Sequence, residues 1–250
     1  MIHLIEAEWP APSGIRAFTS CRSRGESIEP YDSCNLATHV GDAPRSVLAN
    51  RARLRQSIEK GVEIHWLQQV HGVAVVRAED ASMTLEADAL VAGQKNTALA
   101  ILTADCLPAL FCDNRGIKLA AAHAGWRGMA DGVLENTFFA MDCLPSEVMV
   151  WLGPAISAKH FEVGSEVKAS FLDRAHSARH QEIEKHFRAV ADRPGYFMAD
   201  LYGLARERLN SLGITQIYGG NFCTWGQRDL FFSYRRDGIT GRMASIIYRA

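Results

Sequence analysis

Ala109-Leu110-Phe111-Cys112-Asp113-Asn114-Arg115-Gly116-Ile117-Lys118-Leu119-Ala120-Ala121-Ala122-His123 is the stretch on which the fold turns. Two apolar runs, 109–112 and 118–122, flank Asp-Asn-Arg-Gly, a composition that suits a short polar hairpin loop. An antiparallel hairpin at this point breaks the strand–helix–strand alternation that a doubly wound parallel sheet requires. Working outward, strand-like runs cover 15–18, 64–69, 73–77, 89–91 and 98–103 upstream, and 216–218 and 244–248 downstream. Helical patterns interleave. One runs over 45–59 after Asp42 and Pro44, and another over 131–141 with Val133, Leu134, Thr137, Phe138 and Met141 on one face. Two more cover 165–172 and 200–212, the last stopped by Gly213. Hairpins and helices mixed in this way predict an α+β fold with mixed sheets. No repeat, low-complexity tract or long polar linker divides the chain, so a single domain over 1–250 is expected.

With 48% hydrophobic residues the chain can bury a sizeable core. Its net charge of −1 leaves no basic footprint for a nucleic-acid backbone. No apolar run approaches the roughly 20 residues of a spanning helix. The start, Met1-Ile2-His3-Leu4-Ile5-Glu6, lacks a basic region followed by an apolar one. The expectation is a cytoplasmic protein, monomeric or weakly oligomeric, without nucleic-acid or membrane partners. Six cysteines are scattered with no C-x-x-C pair, which predicts reduced thiols.

Three segments share a format: an apolar run ends in a histidine or cysteine and a Gly- or Pro-containing turn comes next. They end at His71-Gly72, at Cys106-Leu107-Pro108 and at His123-Ala124-Gly125. Strand ends hold side chains rigidly while the adjoining loops admit a ligand. One cysteine and two histidines suit zinc, whose catalytic sites use three protein ligands and leave a fourth position open. Zinc brings the pKa of a bound water down to about 7. Spacing leaves two other readings open. Each residue alone is more often structural or incidental than a ligand, and Cys106 with His123 would also make a metal-free cysteine hydrolase.

The three segments, written as Gln69-Val70-His71-Gly72, Thr103-Ala104-Asp105-Cys106-Leu107-Pro108 and His123-Ala124-Gly125-Trp126-Arg127-Gly128, resemble the signature motifs of the YfiH family. The likeness continues through Asn35-Leu36, Val40-Gly41-Asp42, Asn50-Arg51, Ala87-Asp88-Ala89-Leu90-Val91, Leu152-Gly153-Pro154 and Phe161-Glu162-Val163-Gly164. It ends with Ser233-Tyr234-Arg235-Arg236-Asp237-Gly238 and Thr240-Gly241-Arg242. Cys34 departs from the pattern, where an aromatic or small residue is expected. The resemblance implies a compact α/β sandwich of mixed β-sheets flanked by helices, with zinc held by His71, Cys106 and His123. It implies a purine nucleoside phosphorylase acting on adenosine, inosine or methylthioadenosine with phosphate, with adenosine deaminase activity besides. An older description of the family as laccase-like polyphenol oxidases implies copper instead. A link of some relatives to peptidoglycan-precursor editing implies a third role.

Around the trio, Arg51 falls inside the apolar stripe formed by Val47, Leu54 and Ile58. A charge on a buried face needs a partner. That partner is a core carboxylate, or the side chain snorkels out; the resemblance adds phosphate or a purine as a third choice. The glycines about Arg127 precede a helix start and suit an anion, or simply a tight turn. Asn35 is a candidate for a ribose hydroxyl or purine edge, or a turn residue. Asp105 reads as an orienting or capping carboxylate rather than a base. Ser233 to Gly238 is either a cationic pocket rim or a charged turn. His39, His65, His160, His176, His180 and His186 have no partner pattern.

Overall fold

The computed structural model describes residues 2–80 and 86–250. Two mixed sheets lie face to face. The first has the order β1 (Leu4–Glu6), β2 (Ile15–Ser20), β14 (Met243–Arg249), β6 (Thr97–Thr103) and β3 (Glu63–His65). The second has the order β13 (Gln216–Gly219), β9 (Val148–Leu152), β7 (Leu107–Asp113), β8 (Leu119–Ala124), β5 (Ala89–Ala92) and β4 (Val75–Arg77). A third, smaller antiparallel sheet joins β10 (Glu162–Gly164), β12 (Tyr196–Ala199) and β11 (Phe187–Ala189). Parallel pairs occur at β3/β6, β13/β9 and β4/β5, and the other neighbours are antiparallel.

The central hairpin shows how the sequence builds the layers. β7 and β8 pair with Ala109 opposite Ala122 and Cys112 opposite Leu119, as the apolar runs predict. Successive side chains on a strand point to opposite faces. Leu107, Ala109 and Phe111 therefore meet the helices, while Leu110 and Cys112 meet Leu99 and Ile101 of β6 and Ile247 of β14. Both faces are covered, so the strand is apolar throughout instead of alternating. The helical layer on this side comes from α3 (Val133–Met141), α4 (Ser165–Asp173) and α6 (Leu201–Ser211). On the far side, Leu54 of α1 (Pro44–Arg55) packs with Leu36 against Phe18, Leu102 and Ile246 of the first sheet. The result is a helix–sheet–sheet–helix sandwich, the α/β sandwich with mixed sheets that the resemblance implied. Among the described residues no helix is long and apolar enough to cross a membrane.

Several element boundaries differ from those the sequence predicts. The helix expected from residue 131 starts earlier, as α2 (Trp126–Asp131), and Gly132 at φ +104° separates it from α3. Only glycine takes that left-handed conformation without a side-chain clash. The run 64–69 is strand only to His65; beyond it the chain leaves the sheet, keeping one bridge between Gln68 and Glu86. The helix expected over 45–59 ends at Arg55. β9 has no counterpart among the predicted strands because Val-Met-Val-Trp-Leu, buried on both faces, has no period to read.

Two shorter helices complete the chain, α5 (His180–Glu184) and α7 (Tyr234–Asp237). One connection joins the two main sheets at the point where the motifs meet. β6 lies in the first sheet and β7 in the second, so residues 104–106 carry the chain from one to the other. Cys106 sits on this seam.

Candidate metal centre

The three residues singled out by format come together. Their nearest ligand atoms, an imidazole nitrogen each from His71 and His123 and Sγ of Cys106, lie within 4.8 Å of one another. Cys106 comes from the crossing between sheets and His123 from the end of β8. His71 comes from the loop between β3 and β4, where its backbone is left-handed at φ +62°. That conformation is uncommon for a residue with a side chain and clusters at functional sites. Nε2 of His71 is 3.8 Å from Sγ of Cys106, and the two imidazole rings meet edge to face at 4.7 Å.

Asp88, fully buried just before β5, organizes both histidines. Its Oδ1 lies 2.7 Å from Nδ1 of His123 and accepts the backbone N–H of His71 at 3.0 Å. Its Oδ2 accepts from Gly72 at 2.6 Å and Val70 at 3.2 Å. Burial alone would raise the Asp88 pKa, but the bonds from His123, Gly72 and Val70 hold it below the usual carboxylate range. An anionic acceptor at Nδ1 fixes the proton there and leaves Nε2 of His123 free for a metal. The sequence alone does not reveal this role; the one signal it offers is a lone carboxylate in the apolar run Ala87–Val91.

Burial pushes the Cys106 thiol up, but the facing imidazoles of His123 and His71 outweigh it and bring it down to about 6. Burial pushes His123 down, while the Cys106 sulfur and the Asp88 carboxylate raise it to about 9. The arrangement favours a thiolate facing an imidazolium, and a divalent cation can take the place of that imidazolium proton. Gly125 closes the cluster. A Cβ there would stand 3.1 Å from His71 Cδ2 and 3.2 Å from Cys106 Sγ, so the convergence depends on its absence. One thiolate, two imidazoles and a buried carboxylate behind one of them fit the donor set of a three-ligand zinc site.

A cavity of about 320 Å³ opens over the trio, lined also by His39, Gln69, Tyr234 and Arg242. Gln69 is fastened to β6, its amide donating to Leu102 O and accepting from Leu102 N, both at 2.8 Å. Arg242 places Nη1 on the carbonyls of Thr240 and Gly241 at 2.8 and 3.0 Å. The pKa of His39 is lowered by burial and then by the charges of Arg242 and Arg51. His39, which has no partner pattern in the sequence, therefore stands in the cavity as a neutral imidazole near pH 7.

The other expected residues lie around the cavity rather than on its lining. Arg51 stacks over Trp66 at 4.1 Å, and its Nε donates to Leu36 O at 2.9 Å; these are the partners of the charge on the apolar stripe, in place of a core carboxylate. Asn35 is fully buried, with Oδ1 accepting from Ala37 N and Arg242 N and Nδ2 donating to Ala37 O and Asp42. It holds the backbone of Arg242 and does not line the cavity. Arg127 is exposed on α2, its guanidinium 4.2 Å over the Trp126 ring. Asp105 accepts from Thr224 Oγ1 at 2.6 Å, Ser233 Oγ at 3.0 Å and Arg235 N at 2.7 Å, which ties the Cys106 turn to the C-terminal segment. Of that segment Tyr234 reaches the cavity. Arg235 and Arg236 donate instead to the carbonyls of Glu162, Thr224, Trp225 and Phe231, so they make no cationic rim.

Residues 16–250 match the family described as multi-copper polyphenol oxidoreductase laccase. A purine nucleoside phosphorylase of Pseudomonas aeruginosa is 50% identical over 241 residues, 96% of each chain. Purine nucleoside phosphorylase YfiH of Escherichia coli is 44% identical over 252 residues, 99% of each chain. Among solved structures, a Neisseria meningitidis protein of the DUF152 family is 47% identical with a TM-score of 0.92, covering 98% of both chains. YlmD from Geobacillus stearothermophilus is 31% identical with a TM-score of 0.86, covering 96% of this chain and 93% of that one. The resemblance carried by the motifs and the sandwich architecture of the chain agree with these likenesses.

Proposed function

The chain belongs to the family of multi-copper polyphenol oxidoreductase laccases, the YfiH-like proteins, and from that premise we propose that it is a metal-dependent purine nucleoside phosphorylase. The observation that carries the reading is the convergence of His71, Cys106 and His123 beneath a cavity that also presents Arg242, His39 and Tyr234. Relatives named purine nucleoside phosphorylase support the substrate class, a purine nucleoside with inorganic phosphate, and inosine, adenosine and methylthioadenosine are the nucleosides we propose.

Phosphorolysis breaks the bond between the base nitrogen and C1 of the sugar and joins phosphate to that carbon, through a transition state with positive charge on the sugar. The protein has to hold phosphate in line and stabilise charge on the departing base. In this reading Arg242 binds the phosphate as a charge-assisted donor. Tyr234 stacks on the purine. Neutral His39 donates a hydrogen bond from its ring N–H to the departing base. Asn35 and Arg51 serve the site indirectly, the first through Arg242 and the second through the charge it places near His39. Zinc suits the donor set, and when bound it supplies Lewis-acid stabilisation of developing negative charge. Deamination of adenosine at C6, with water as the nucleophile, would use the same cavity.

Copper also accepts thiolate and imidazole. The described residues bring together one three-donor cluster, enough for one ion and short of the several copper ions of a multicopper oxidase. The deciding experiment measures hypoxanthine release from inosine by metal-stripped protein reloaded with zinc or with copper, with and without phosphate. Phosphate-dependent release with zinc, lost together with bound metal in Cys106→Ala, is the expected result. Release that needs no phosphate, or a Cys106→Ala protein with full turnover and metal content, overturns it. Dioxygen uptake with a phenol by the copper-loaded protein alone would favour the oxidase reading.

A further inference from the structure

A second cysteine–imidazole pair lies away from the metal centre. Sγ of Cys223 is 3.3 Å from Nδ1 of His160, and it also receives the hydroxyl of Ser157 at 3.1 Å and the backbone N–H of Gly226 at 3.4 Å. Three polar groups from two loops, one after β9 and one after β13, thus converge on a single sulfur. The His160 ring is held in place by stacking on Trp225, 4.1 Å between centroids and 16° from parallel. The Cys223 backbone is pinned too, its N–H donating to Oε1 of Gln227 at 2.7 Å.

The sulfur is within reach of small molecules. Ser157, His160, Tyr202, Arg206, Asn221 and Cys223 are among the residues lining an open cavity of about 670 Å³. The other thiols differ in ways that matter chemically. Cys21, Cys34 and Cys112 are fully buried, and burial pushes their pKa values to between about 11 and about 12. Cys143 is half-buried with its S–H directed at Met141 O, and burial raises its pKa. Cys106 belongs to the metal centre. A nucleophilic thiol needs a base in contact, donors for the charge on sulfur, and access, and Cys223 has all three.

We infer that Cys223, with His160 as its base and Ser157 and Gly226 as donors, is a thiol–disulfide exchange site for low-molecular-weight disulfides, separate from the metal centre. His160 Nδ1 takes the proton from Sγ, and Sγ attacks one sulfur of the disulfide. A new S–S bond forms at Cys223 as the original one breaks. The departing sulfur leaves as a thiolate and collects the proton from His160, so one free thiol is released for each Cys223 converted to the mixed disulfide. Cys223 is the group oxidised, and the leaving sulfur is the group reduced.

The test uses the zinc-loaded full-length protein with oxidised glutathione at neutral pH, mapping adducts by peptide mass spectrometry over time. Cys223 acquires glutathione first, about tenfold or more faster than Cys143, and dithiothreitol removes it. His160→Phe keeps a ring to stack on Trp225 but lacks the nitrogen, and it slows the reaction at Cys223 by a similar factor while thermal unfolding stays close to wild type. Equal labelling of Cys143 and Cys223, or a Cys223 rate unaltered by His160→Phe, overturns the assignment. Should His160→Phe prove unstable, Ser157→Ala tests the donor half of the assignment, since it deletes one donor to the sulfur and leaves the stack alone, and a Cys223 rate unaltered by it overturns that half.

Discussion

Asp88 and His123 are joined twice: the carboxylate lies 2.7 Å from Nδ1 of the imidazole, and the Asp88 carbonyl accepts the His123 backbone N–H, also at 2.7 Å. The same carboxylate receives three backbone N–H groups of the His71 loop. Asp88 therefore sets the tautomer of His123 and the backbone of His71, the two imidazoles of the candidate metal centre. Asp88→Asn retains one acceptor oxygen but turns an NH₂ group toward backbone donors. Metal affinity falls about tenfold to a hundredfold, measured by chelator competition, as is usual when a carboxylate behind a ligating histidine is lost. Unchanged affinity in a folded Asp88→Asn protein would show that the His71 loop does not depend on this carboxylate.

Removing the metal exposes a reactive thiol. With its pKa near 6, Cys106 in stripped protein is a thiolate at pH 7, whereas Cys21, Cys34 and Cys112 remain protonated. Because the pKa is depressed, the thiolate is present above about pH 6 and is lost as pH falls through that value. Iodoacetamide then labels Cys106 with a rate that drops below pH 6, and zinc protects it. In His123→Ala the dominant opposing charge is gone, so the midpoint moves upward. A midpoint that stays in place in His123→Ala contradicts the assigned cause.

The sequence disclosed the convergent trio more readily than its surroundings. His71, Cys106 and His123 each end an apolar run in the sequence, and a histidine or cysteine followed by a Gly- or Pro-containing turn leaves a local mark, even though only His123 lies in a strand. The hairpin 109–122 is legible for a similar reason, since its turn residues sit between two short apolar runs. His39 leaves no mark because its place in the cavity depends on the long-range packing of the 34–43 loop beside Arg242. Asn35 and Arg51 do stand out as unusual, a polar and a charged residue in apolar surroundings. What the pattern cannot tell is whether their partners are ligands or the chain's own carbonyls. The mutual approach of Cys223 and His160, 63 residues apart, is illegible on the same grounds.

Gly125 offers a test of geometry without any change of ligand. Its backbone, at φ −61°, is accessible to alanine, so a substitution acts through the added methyl alone. That methyl would sit 3.1 Å from His71 and 3.2 Å from Cys106 Sγ, tighter than ordinary contact. Gly125→Ala is expected to fold, to lose about tenfold or more in metal affinity by chelator competition, and to change thermal stability less in stripped protein than in loaded protein. Equal destabilisation of both forms would mean that the methyl disturbs the sandwich and not the centre.

Arg242 and Arg51 divide the cationic work, and substitution separates them. Arg242 lines the cavity with Nη1 on two backbone carbonyls, and its Nε and Nη2 have no protein partner among the described residues. Arg51 lies outside the lining, with Nε on Leu36 O and its plane on Trp66. A hydrogen bond to a charged group contributes about 1.5–3 kcal/mol, and each 1.4 kcal/mol is about a tenfold change in binding. Under the phosphorylase reading, Arg242→Met raises the KM for phosphate at least about tenfold and the KM for inosine much less. Arg242→Lys recovers part of the loss, since a point charge replaces the planar fork. Arg51→Met lowers thermal stability and leaves the phosphate KM within about threefold of wild type. It also raises the pKa of His39, because one of the charges that depress it is gone. Steady-state kinetics with phosphate varied at saturating inosine, beside NMR titration of His39, reads both effects. A phosphate KM that responds to Arg51 and ignores Arg242 would move the anion site from the cavity wall to the Trp66 side.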